Sequence, residues 1–183
     1  MITYTDIKRE FEESLGYIRN DIAALCADEH KTVNYTVALL IGCACEALAD
    51  AGAYASKEQA FADLMPDDDW RKLAQPLFNA VRNGLAHSFD TKPLFVNGQE
   101  VQIHFNWHAQ RVIDIRHGHG LDRLHIGPRL LAARLCGKID AFRAKLQQDN
   151  AACQKFRDAL LRDRTVKCSE DVWNVLKRKT AHH

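Results

Sequence analysis

Apolar residues recur at steps of three and four through most of the chain, and the first such run is Ile7, Phe11, Leu15, Ile18, Ile22 and Leu25. Lys, Arg, Glu and Asp fill the gaps, so the spacing predicts one amphipathic helix. From about Thr32 to Tyr54 the sequence is apolar nearly all round, which predicts a central, buried helix. One face of that helix is small and polar: Gly42, Cys43, Glu46, Ala49, Asp50 and Ala53. Small side chains let another helix come close, and a buried Glu46 needs a partner. "SKEQAFADL" opens with Ser56 and, three residues on, Gln59, the pattern of a capping box before a short helix. Pro66 and Asp67 to Asp69 start another helix, where negative charge suits the N-terminus. It carries Trp70, Leu73, Leu77, Phe78 and Val81 inward and runs on into "AVRNGLAHSFD".

After Ser88 the period changes. "PLFVNGQEVQIHF" is two short apolar runs around Asn97-Gly98, a strong hairpin signal, and "RVIDIRH" alternates as a third strand would. "GPRLLAARLCGKIDAFRAKLQ" returns to helix, with Leu131, Leu135, Ile139, Phe142 and Leu146 on one face and Pro128 at the first helical position. Two more amphipathic helices are expected, at roughly 151–163 and 169–179. The sequence thus predicts a single mainly α domain: core helices over 5–87, a β-hairpin or meander over 92–117, and C-terminal helices over 128–180.

Composition adds little, with 46% hydrophobic and 27% charged residues, as in ordinary globular chains. The net charge of +1 hides an asymmetry: residues 1–75 hold 14 acidic and 7 basic side chains, and residues 76–183 hold 10 acidic and 18 basic. A basic half either attracts a polyanion or pairs with the acidic half. The polar start of the chain has no signal-peptide pattern, and the longest apolar run, Val37 to Ala49, is interrupted by Glu46, so a cytoplasmic protein without a membrane span is expected. The six cysteines (Cys26, Cys43, Cys45, Cys136, Cys153, Cys168) form no C-x-x-C pair and are read as reduced.

The chemistry concentrates at the end of the fourth predicted helix, in Arg82, Asn83 and His87. Asn83 and His87 are four apart and share a helical face, whereas Arg82 lies about 140° round from His87 at 100° per residue. Gly84 inside a helix costs about 1 kcal/mol relative to alanine, which a close approach by a phosphate or a second helix would offset. An arginine can hold a phosphate in bidentate fashion and a histidine can move a proton near neutrality. Without a metal cluster or thiolate nearby, the trio suits metal-free phosphodiester cleavage with a ribose 2′-hydroxyl as nucleophile; its bland alternative is a capped, solvated helix end.

"RNGLAH" in a largely helical chain resembles the R-x(4–6)-H motif of the HEPN superfamily in its Arg-Asn-x-x-x-His form. The resemblance implies an up-and-down helical bundle whose late helix ends in the motif. It also implies a metal-independent endoribonuclease of toxin–antitoxin, antiphage or RNA-processing type, with no cofactor. Such proteins usually form homodimers with one composite cleft, sometimes held by a cognate antitoxin or other protein partner. By the same resemblance Arg82 binds the scissile phosphate, His87 is the acid or base, Asn83 supports them, and Glu46 assists from the preceding long helix. An inactive, non-catalytic interaction module of the same kind is the alternative.

Two further clusters stand out. His104, His108, His117, His119 and His125 gather in the middle of the chain, where zinc ligation competes with plain exposed histidines, and no metal is expected. Arg123, Arg129, Arg134 and Lys138 form either an RNA-tracking surface or a solvated flank whose long stems cover the core edge.

Overall fold

The computed structural model describes residues 1–27, 33–88, 91–117 and 122–161, and for 86–88 the backbone alone. The expected helix at 169–179, His119, Cys168 and the His87 side chain lie outside the described residues.

The first predicted helix forms as α1 (Tyr4–Phe11) and α2 (Tyr17–Ala27), joined by a π-helical turn over Glu12–Gly16. Ile7, Phe11, Leu15 and Ile22 are buried as the spacing predicts, and Ile18 and Leu25 pack at the core edge. A side chain at position 16 would collide with the Glu12 carboxylate. Glycine there leaves room for Glu12 to reach Arg143 at 3.2 Å.

α3 (Asn34–Asp50) is the central helix and buries Val37, Ala38, Ile41, Gly42, Ala44, Cys45 and Leu48. It packs against α2, α4 (Lys57–Ala62), α6 (Ala74–Ser88) and α7 (Pro128–Gln148). It stops at Asp50 rather than Tyr54, because Gly52 turns the chain at φ 76°. Ser56 caps α4 by accepting the Gln59 N–H at 3.2 Å. The helix expected to run unbroken from Pro66 is split instead. Asp67 caps a single short turn, α5 (Asp68–Arg71), and α6 begins only at Ala74.

The β region is larger than a hairpin or meander. β1 (Leu94–Val96) and β2 (Gln99–Phe105) turn at Asn97-Gly98 as predicted, with φ of 51° and 80°. β3 (Ile113–His117) does not add next to β2. An unforeseen strand, β4 (Asp122–Ile126), lies between them, parallel to β2 and antiparallel to β3, in the order β1-β2-β4-β3. The reason is its alternation: Leu124 and Ile126 are buried in the core while Arg123 and His125 face away from it.

Pro128 opens α7 as expected, and α8 follows over Asn150–Leu160, its N-terminus capped by Asp149. Ion pairs tie α7 to earlier elements: Arg143 to Glu12, Asp140 to Arg19, and Lys138 to Asp63. Among the described residues no strand precedes residue 88, and no helix is long and apolar enough to cross a membrane.

Candidate functional site

α6 buries Ala74, Leu77, Phe78, Ala80, Val81 and Leu85, which fixes how its last turns present the motif. Gly84 is also buried. Arg82 leaves α6 on the side facing α3 and crosses it at Gly42. A methyl group added at Gly42 would sit 2.8 Å from Arg82 Cγ. Arg82 Nη2 then donates to Glu46 Oε2 at 3.1 Å, one helical turn beyond. Lys57, the first residue of α4, donates to the other oxygen, Oε1, at 3.3 Å. The small face with a carboxylate thus receives the partner that burial demanded.

Partial burial would raise the Glu46 pKa, but the hydrogen bonds and charges of Arg82 and Lys57 outweigh it and hold the carboxyl below its ordinary range. The Arg82 guanidinium is raised, first by its hydrogen bond to Glu46. Both stay ionised at neutral pH. Glu46 is therefore poorly matched to proton transfer and well placed to aim Arg82. Arg82 Nε is buried and has no partner among the described residues. Lys57 was not legible as a site residue, although its place just after a Ser56 cap could have marked it as fixed near α3.

Asn83 faces the other way. It is half-buried in a cleft of about 400 Å³ between α6 and the hairpin, with Asn79, Pro76, Lys92, Leu94 and Phe95 among the lining residues. The Lys92 N–H donates to the Ala80 carbonyl at 3.3 Å, which fastens the hairpin to α6. The helical backbone continues to Ser88, so position 87 follows one turn beyond Asn83. Arg82 and Glu46 are brought together; Asn83 is held apart from them on a different side of α6.

The four basic residues expected to track RNA do not form one surface. Arg134 donates to the Leu64 carbonyl at 3.0 Å, and Lys138 pairs with Asp63, so both seat α7 against the end of α4. Arg129 is half-buried in the first turn of α7. Arg123 is exposed on β4. Of the histidines, His104 and His125 stack with centroids 5.6 Å apart, and His117 meets Asp122 at 2.8 Å. Among the described residues no group of three or more His, Cys, Asp or Glu is placed to hold a metal. The five described cysteines are free thiols.

No protein family, curated protein or solved structure matches this chain.

Proposed function

We propose that the chain is a metal-independent endoribonuclease of HEPN type, an up-and-down bundle acting as a homodimer in a toxin or antiphage setting. The observation that carries this reading is the Arg82–Glu46 contact across 36 residues of sequence. It supplies the motif arginine with an oriented, permanently charged guanidinium. In this mechanism the ribose 2′-hydroxyl attacks the adjacent phosphorus and loses its proton, and the 5′-oxygen leaves and gains one. His87, from this subunit or its partner, handles a proton transfer. Arg82, aimed by Glu46, stabilises the charge developing on the phosphate oxygens. The products are a 2′,3′-cyclic phosphate and a 5′-hydroxyl. Analysis of product ends tests this: cyclic phosphate with DNA untouched is expected, whereas 5′-phosphate ends or cleavage of DNA would contradict it.

A second reading has one observation behind it. Arg82 is turned toward α3 and engaged in an ion pair, as a purely structural arginine would be. On that reading the chain is a non-catalytic helical module that binds a protein partner or RNA. Arg82→Ala would then lower thermal stability in a protein that cuts no RNA.

A further inference from the structure

The sheet has two unlike faces. Ile103, Ile113, Leu124 and Ile126 are buried on one. The strand registers line up the other: Gln102, Arg123 and Arg116 form one cross-strand row, and His104, His125 and Asp114 the next. On β1, Phe95 stands opposite Glu100 and is 71% exposed. Arg116 and Arg123 are also exposed. Like charges directly opposite in a sheet are destabilising, so this row carries a cost that no ion pair among the described residues offsets.

Several basic residues of the second half are paired with carboxylates, Arg82 with Glu46, Lys138 with Asp63 and Arg143 with Glu12. Arg116 and Arg123 have no such ion pair or hydrogen bond among the described residues. Asp114, in the neighbouring row, pairs with Arg111 at 3.6 Å. Burial and the charge of Arg116 lower the His125 pKa, so its ring is neutral near pH 7. The two imidazoles lie 19° from parallel. Beside them is a hollow of about 150 Å³ lined by His108, Arg111, Asp114, Arg116 and His125. That is the space of about five waters at ~30 Å³ each, enough for a phosphate group.

We propose that this face binds single-stranded RNA, with Arg116 and Arg123 on phosphates and His104, His125 and Phe95 stacking on bases. Flat rings beside exposed arginines fit a chain of bases and phosphates better than an acidic peptide, which does not carry an aromatic ring beside each anion. The surface leads to the motif, because Phe95 and Lys92 also line the cleft that holds Asn83. The four strands span about 14 Å at the usual strand spacing, so a few nucleotides laid across them end at α6. This inference rests on the chain being an RNA-cleaving protein, and it names where the substrate is held.

Binding of a fluorescent 2′-O-methyl oligouridylate to the full chain tests it. That probe has no free 2′-hydroxyl and cannot be cut by the proposed chemistry, so binding is read apart from cleavage. The Arg116→Ala, Arg123→Ala double variant should bind at least about tenfold more weakly at 0.1 M salt. Its plot of log affinity against log salt should flatten by about 1.4, at ~0.7 per lost phosphate contact on a single strand. His104→Ala should lose on the order of tenfold, and an abasic strand of equal length should bind more weakly than the oligouridylate. All three substituted side chains are exposed, and unchanged melting curves would establish that the variants fold; Arg123→Gln serves if the double variant does not. Wild-type affinity in the arginine variants, equal affinity for the abasic strand, or no binding of the oligouridylate by the wild type would each overturn the proposal. A wild type that binds through these arginines yet cuts no RNA would sink the nuclease reading and leave this surface standing.

Discussion

At the level of single residues, Glu46 and Gly42 show what a sequence can and cannot announce. A carboxylate on the small face of an apolar helix demands a cation, and that demand was legible. Which cation answers it was not, because Arg82 and Lys57 reach Glu46 only once α3, α4 and α6 are packed. Two outcomes follow from the geometry. In Gly42→Ala the new methyl group and Arg82 Cγ, 2.8 Å apart, cannot both stay in place. RNA cleavage should fall about tenfold or more, with about 1–3 kcal/mol lost in urea melts; unchanged cleavage would detach Arg82 from the chemistry. The second concerns pH. Glu46 is depressed in the folded state, so its contribution to stability is fully present above its ordinary pKa of 4.5 and is lost as pH falls through the lower folded value. The stability gap between wild type and Glu46→Gln, measured by urea melts from pH 3 to pH 7, should be level above that pKa and shrink below it. A gap that widens on acidification would show the sign to be wrong.

Among the secondary-structure elements, helices with long apolar periods were readable, and so was the hairpin. Asn97 and Gly98 both take positive φ, which few residue pairs tolerate, so two residues announced the turn. Gly98→Ala meets no atom within 4 Å, so its cost should be backbone strain alone, about 1 kcal/mol or a little more. A thermal melt unchanged by that substitution would contradict the turn. β4 was not readable. Its five residues offer only Leu124 and Ile126 as apolar anchors, and its place depends on pairing with β2, about 20 residues earlier. The break before α6 was hidden for a different reason. Trp70 and Leu73 keep the helical period across it, and both still pack at the core edge or in the cleft wall.

For the molecule as a whole, pairing answers part of the charge asymmetry between the two halves. Glu12, Glu46 and Asp63 of the acidic half each hold a cation from the basic half. Arg116 and Arg123, which have no such partner among the described residues, stand on the sheet, away from the helix face where basic residues were expected to gather. The motif was legible as a string, but its division between an α3 side and a hairpin side needed the packed helices. A composite cleft also requires two copies. Light scattering on the purified chain at micromolar concentration should give twice the monomer mass of 20.8 kDa, and a monomer with no partner protein would count against a shared site. The central claim is the chemistry of the motif, and single-turnover cleavage of RNA in EDTA by wild type and His87→Ala tests it most directly. Wild type should cut with no metal present, and His87→Ala should be slower by roughly 10²–10⁴, the range for loss of a general acid or base. Equal rates for the two proteins, or cleavage abolished by EDTA, would contradict it.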